Sequence, residues 1–217
     1  MNKSIVLTVS MFFQVLCLQA NTFTIRPAEP QDMATCIQIA KQVIDKVNRP
    51  FLSGNVDEYI SKIDEKFFHS LGGDKVEQLL VAVNEGNQVI GFLKYENFFG
   101  ADPSSQTWKE FVAKVKDNTL ENDKAWLTKH CDGSGIYVLR LYVDQDWRGK
   151  GVGTLFLKSL KGFCPQAQRI YLDTYAGKTQ ACDFYKHRGF SELDHLSIGQ
   201  FNEEVFFSID INLLHAV

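Results

Sequence analysis

The sequence lacks most of the marks that assign a chain quickly. Its five cysteines, Cys17, Cys36, Cys131, Cys164 and Cys182, form no CxxC pair and share no repeated spacing. That excludes a zinc-ribbon framework and a disulfide-dense scaffold, so they read as buried or free thiols. His130 beside Cys131 has no partners at ligand spacing, and no metal site is assigned. Strong charge of either sign is also missing. A formal net charge of -3 gives the chain no general attraction to nucleic acid or to an anionic membrane, so any anion site must be local. No internal repeat and no low-complexity tract occurs. What is present, 217 residues with 45% apolar and 23% charged side chains, suits one folded domain with a substantial core.

Residues 1–20 stand apart. Lys3 is the only early positive charge, residues 5–18 are largely apolar, and Ala20 offers a small residue for cleavage. This is the layout of a secretory signal peptide, too short for a stable membrane span. Leu18, two before Ala20, fits cleavage poorly, and Ser10 and Gln14 interrupt the apolar run. An uncleaved apolar appendage, or a start at Met11, therefore stays open.

Periodicity divides the remainder. Alternation over 22–25 reads as a first strand closed by Arg26-Pro27. Asp32 is the expected N-cap of a helix in which Met33, Cys36, Ile37, Ala40, Val43, Ile44 and Val47 keep helical spacing as far as Asn48-Arg49-Pro50. A second helix is expected over 56–70, with Tyr59, Ile60, Ile63 and Phe67 on one face. Residues 78–84 and 88–98 alternate at period two and are joined by Glu85-Gly86-Asn87, a three-residue hairpin connection. Residues 101–134 read as an insertion holding at least one helix, since Trp108, Phe111, Val112 and Val115 share a face. Strands over 136–143 and 169–175, helices over 152–163 and 180–188, a stop at Gly189 and two β-like runs in 191–213 complete the order. Val152, Leu155, Phe156, Leu160 and Phe163 form the expected apolar face of the helix over 152–163. The implied fold class is α/β, a mixed sheet covered by helices.

Between the strand ending at Val143 and the helix over 152–163 lies Val-Asp-Gln-Asp-Trp-Arg-Gly-Lys-Gly-Val-Gly-Thr. Gly149, Gly151 and Gly153 are expected to take positive φ, letting several N–H groups converge on one anion. The start of the next helix adds its own donors and the positive end of its dipole. Common nucleotide signatures do not fit: the lysine is not followed by Ser or Thr at Walker A spacing, and GxGxG is not GxGxxG.

The loop Arg148-Gly149-Lys150-Gly151-Val152-Gly153 instead resembles the R/Q-x-x-G-x-G/A loop of the GNAT family of N-acetyltransferases, in its usual place after a strand ending Leu141-x-Val143. Phe23-Thr24-Ile25-Arg26-Pro27-Ala28 with the helix after Asp32 is similar to the family's opening. Ala181-x-x-Phe184-Tyr185-x-x-x-Gly189-Phe190 is similar to its second signature, so the resemblance spans one domain over 22–217. It implies a GNAT-type mixed, mostly antiparallel sheet flanked by helices on both faces. It also implies acetyl-CoA as cosubstrate, no metal, and an amine acceptor on a small molecule or a protein; a homodimer stays open. By position, Arg148, Gly149, Lys150, Gly151, Val152, Gly153 and Thr154 would hold the pyrophosphate. The backbone of Leu141, Tyr142 and Val143 would pair with the pantetheine arm, and the Val143 N–H would face the thioester oxygen. Tyr185 would protonate the departing thiolate; its plainer reading is packing beside Phe184.

Two departures from the family pattern stand out. Lys178 occupies a position that is often asparagine; it would meet a cofactor phosphate, or more simply be a solvated surface lysine. Residues 135–143 contain no carboxylate, although many members use a glutamate there as general base. Glu96 and Asp173, on the flanking strands, are the candidate replacements, each expected to be exposed at a strand edge. The missing carboxylate leaves a non-catalytic CoA-binding sensor or interaction module as the alternative to an enzyme. Compartment is also divided: acetyl-CoA is cytoplasmic, whereas residues 1–20 suggest export or delivery into another cell.

Overall fold

The computed structural model describes residues 23–52, 54–63, 78–97, 135–198 and 202–215. The leader-like residues 1–20 and the expected insertion over 101–134 lie outside them. Seven strands make one sheet: β1 (Phe23–Pro27), β2 (Leu79–Asn84), β3 (Val89–Asn97), β4 (Gly135–Val143), β5 (Arg169–Tyr175), β6 (Ser191–Ile198) and β7 (Asn202–Asp210). Their order is β1-β2-β3-β4-β5-β7-β6. Every neighbouring pair is antiparallel except β4 and β5. The α/β class and the mostly antiparallel mixed sheet expected from the sequence are what the chain adopts.

Helices cover both faces. On one side α1 (Met33–Val43) buries Met33, Cys36, Ile39, Ala40 and Val43 against Val81, Val83 and Phe92, with α2 (Val56–Ser61) nearby. On the other, α3 (Val152–Phe163) and α4 (Thr179–Lys186) pack on Ile90, Leu93, Ile136 and Ile170. Each fully buried aliphatic or aromatic side chain contributes roughly 1.5–3 kcal/mol, so the alternation of strand residues fixes which helix pair each face receives. On α3 the expected face is shifted. Leu157 is buried, while Phe163, the last helical residue, projects past the sheet and is 37% exposed. Pro27 is tolerated because β1 is an edge strand, where a missing N–H costs no ladder bond.

Several local expectations are corrected. The helix expected to run to 47 changes at Ile44 into a π turn (Ile44–Asn48) and then a 3-10 turn (Arg49–Phe51). Asn48 is consequently buried, at 7% exposure. The second helix ends at Ser61, and 64–70 lie outside the described residues. In the expected three-residue connection of the β2–β3 hairpin the left-handed residue is Asn87, at φ 57°. This is a turn followed by one αL residue, and Asn84 ties it by accepting from Gln88 N at 2.9 Å.

Asp32 makes no side-chain cap on α1. Its carboxylate, 5% exposed, accepts from both Arg26 nitrogens at 2.7 and 2.9 Å and from the Glu29 N–H at 2.7 Å. Burial works against the charge, but the Arg26 and Glu29 hydrogen bonds outweigh it and hold the carboxyl below its ordinary value. A depressed folded-state value stabilises above the unfolded value of about 3.9 and is lost as pH falls through the folded one. Asp32→Asn is expected to cost about 2 kcal/mol at neutral pH. The gap from wild type in urea melts should narrow below about pH 4; a constant gap would remove the ion-pair account.

Candidate active site

β4 and β5 run side by side for a short distance, from Gly135↔Arg169 to Val138↔Leu172. Beyond that, β4 continues to Val143 against β3 and β5 continues to Tyr175 against β7. The sheet thus opens into a wedge walled by residues 139–143 and 173–175. A bulge begins it: Lys94 pairs with Arg140 and Tyr95 with Val138, leaving Leu139 as the extra residue. Such an insertion bends the strand and increases its twist.

The wedge has usable backbone. Asp144 N–H donates to Ile90 O on β3 at 2.9 Å. Successive N–H groups of a strand point to opposite neighbours, so the Val143 and Leu141 N–H groups turn toward the wedge. The Val143 carbonyl, on the same side, accepts from Arg148 Nε at 3.0 Å. Arg148 is therefore folded back against the end of β4.

The glycine loop follows directly. Gly149 and Gly151 are left-handed, at φ 74° and 90°, and among the described residues nothing stands within 4 Å of where a Cβ would be at either. Gly151 is the N-cap of α3 and supplies no side-chain cap, so the N–H groups of Val152, Gly153 and Thr154 are the helix's first-turn donors, without intrahelical acceptors. Gly153 departs from the expectation: it is not among the positive-φ residues, and a Cβ there would lie 3.2 Å from Phe184 Cζ. Its small size lets α3 approach α4. Gly153→Leu is expected to destabilise by about 1–3 kcal/mol through overpacking, seen as a lower Tm. An unchanged Tm would show that the Phe184 contact is slack.

Side chains around the loop are mostly engaged. Lys150 Nζ lies 4.9 Å over the Trp147 ring, which meets Phe23 edge-on at 6.1 Å. Thr154 Oγ1 accepts from Arg188 Nε at 3.0 Å, and that guanidinium lies 5.2 Å over Phe184. Arg188, absent from the sequence reading, therefore brings a cation to the start of α3.

Tyr185 is buried, 8% exposed, in rings from Phe184, Phe190 and Phe207 at 5.2, 5.5 and 5.7 Å. Burial, then the charge of Asp173, push its phenol well above the ordinary value. The hydroxyl thus keeps its proton and senses a wedge residue. Both carboxylate candidates sit differently from the expected exposed strand edges. Glu96, 6% exposed, lies on a central strand with Tyr137 opposite and accepts from the Gln78 amide at 2.7 Å. Asp173, half-buried on the wedge wall, accepts from the Tyr137 hydroxyl. Glu96 is covered because β3 is a central strand, whereas Asp173 lies where β5 has parted from β4 and is only half-buried.

Lys178 is likewise not a solvated lysine. It is half-buried at the N-cap of α4, with Nζ 4.7 Å over Tyr175 and 5.9 Å over Phe51. Three more wedge residues escaped the sequence. Asn48 donates to the Tyr142 hydroxyl at 3.3 Å, Arg140 donates to Leu139 O at 2.6 Å, and Phe51 stacks on Tyr175. Burial raises the Tyr142 phenol despite the opposing charge of Arg140.

Among the described residues the sheet is mixed and opens at its one parallel pair, β4 with β5, with the glycine loop and the start of α3 following the β4 wall. The chain belongs to the acetyltransferase (GNAT) family, whose model matches residues 41–190. No curated protein matches it in sequence. Among solved structures it is similar to an N-acetyltransferase from Staphylococcus aureus Mu50, at 16% identity and TM-score 0.53, over 87% of this chain and 98% of that one. It is also similar to yncA from Salmonella typhimurium, solved with its cofactor acetyl-CoA, at 13% identity and TM-score 0.52, over 88% and 95%. A ribosomal-protein-alanine N-acetyltransferase from Brucella melitensis matches at 16% identity and TM-score 0.51, over 86% and 99%. At these identities the likeness establishes the fold.

Proposed function

We propose that the protein is an N-acetyltransferase that moves an acetyl group from acetyl-CoA to a primary amine of a small molecule or protein, the amine attacking the thioester directly. The observation that carries this reading is the wedge, whose β4 edge presents the Leu141 and Val143 N–H groups where pairing with β5 has ended. The bound cosubstrate supplies an activated acetyl thioester. Its pyrophosphate suits the open loop of Gly149 and Gly151 and the first-turn N–H groups of Val152, Gly153 and Thr154, where helix dipole and donors favour an anion. Its extended arm suits the free edge of Leu141 to Val143.

In this reading the Val143 N–H donates to the carbonyl oxygen as negative charge builds there, a role in which one donor is worth about 3 kcal/mol. Tyr185 keeps its proton until the sulfur leaves, then donates it. Titrating acetyl-CoA into protein lacking residues 1–20, and then measuring thiol release with polyamines, amino acids, aminoglycosides and peptides, tests both halves. Absence of binding up to millimolar concentration defeats the proposal. Binding without transfer to any amine leaves the CoA-binding module, which the lack of a carboxylate in 135–143 favours.

A further inference from the structure

An acceptor held as an ammonium, of pKa near 10, must lose a proton before it attacks. Glu96 is buried against Gln78, and Asp173 is engaged by Tyr137. Lys178 stands just past the end of β5 and opens α4. Its Nζ lies over the rings of Tyr175 and Phe51, which stack at 5.8 Å with planes 15° apart. Gly177 permits this stack, since a Cβ there would come 2.5 Å from Phe51 Cε1. Phe51 belongs to the 3-10 turn Arg49–Phe51 beyond α1, so the Nζ end of Lys178 is held on the α1 side of the wedge. That face is opposite the one α3 covers, and Tyr175, beneath Nζ, is itself part of the wedge wall.

Resting on the amine-acetylation reading above, we propose that Lys178 is the proton acceptor of the reaction, its neutral amine taking a proton from the acceptor ammonium. The freed lone pair then forms the C–N bond to the acetyl carbon as the C–S bond breaks. The thiolate takes the Tyr185 proton, and Tyr185 regains one from the nitrogen, which must lose a second proton to become an amide. Lys178 returns the first proton to solvent, so the reaction releases one proton overall. The groups facing Lys178 act in both directions. Burial disfavours its charge most, Asp173 of β5 favours it, Arg140 of β4 disfavours it, and Glu204 of β7 and Cys182 of α4 favour it; the balance lowers it to about 8. A lysine lowered to that range is matched to proton transfer near neutral pH.

The test compares wild type with Lys178→Arg and Lys178→Met, using whichever amine of the panel wild type acetylates. Arginine places a permanent cation over the rings and cannot give up its proton. In both variants kcat/KM for the acceptor should fall by about 100-fold. The rise of activity near pH 8 should move toward the acceptor's own value, while acetyl-CoA affinity and Tm of Lys178→Arg stay near wild type. Independently of turnover, labelling with acetic anhydride at a series of pH values, read by mass spectrometry, should show Lys178 titrating near 8. Titration near 10, or undiminished kcat/KM with an unmoved pH profile in Lys178→Arg, overturns the proposal alone. Wild type that acetylates no amine overturns it together with the reading on which it rests.

Discussion

Tyr185→Phe is expected to lower kcat by roughly 10²- to 10⁴-fold, the range for loss of a positioned general acid, with little change in the KM for acetyl-CoA. Phenylalanine keeps the ring contacts to Phe184, Phe190 and Phe207, so Tm should barely move. A fall in kcat then reports the missing proton and not a damaged core. The pH profile supplies a second check. An acid must be protonated to work, and burial and Asp173 hold this phenol above its ordinary value. Activity should therefore show no descending limb from Tyr185 anywhere below about pH 10. Undiminished turnover in the variant would return Tyr185 to a purely packing role.

The second large effect is expected at Gly151. A valine at φ 90° is strained, because a β-branched side chain is a genuine outlier in the left-handed region. No described residue comes within 4 Å of a Cβ at Gly151, so the expected penalty is conformational. The loop is expected to relieve it by swinging out of register, which scatters the N–H groups of Val152, Gly153 and Thr154. Acetyl-CoA affinity should fall about 100-fold, equivalent to about 2.7 kcal/mol, as measured by calorimetric titration. The contrast with Gly153 is the decisive comparison. Substitution at Gly153 should lower stability through Phe184, and substitution at Gly151 should lower affinity. If Gly151→Val binds acetyl-CoA as wild type does, the loop is not the pyrophosphate site.

Much of this was legible in the chain because the signals were local. Strand and helix order followed from periodicity in segments such as 136–143 and 152–163, and the loop announced itself through alternate glycines within a strand, turn and helix. The separate duties of those glycines were not legible, since only contact with Phe184, some thirty residues away, distinguishes Gly153 from Gly151. The same limit hid Asn48, which reads as part of a helix stop until the π turn carries it to Tyr142. Lys178 looked like a surface lysine because its burial depends on Phe51 from another part of the chain. Glu96 and Asp173 looked exposed because neither strand's place within the sheet can be read from its own residues.

The parallel pairing of β4 with β5, the one such pair among the described strands, bears on how the molecule fails. β1 to β4 form one antiparallel block and β5, β7 and β6 another; among the described residues the backbone pairs that join them run from Gly135↔Arg169 to Val138↔Leu172, above a core that spans both. The seam is tight: a Cβ on Gly135 would overlap the Arg169 carbonyl oxygen. One block brings the Val143 N–H and the loop's strand, and the other brings Asp173, Tyr185 and Lys178. The proposed site is thus divided between two strand blocks, and local opening of a fold need not be uniform across such a joint. If the proposed site spans this joint, turnover is expected to be lost when the seam parts while each block still keeps its own ladder, so loss of turnover should precede loss of secondary structure.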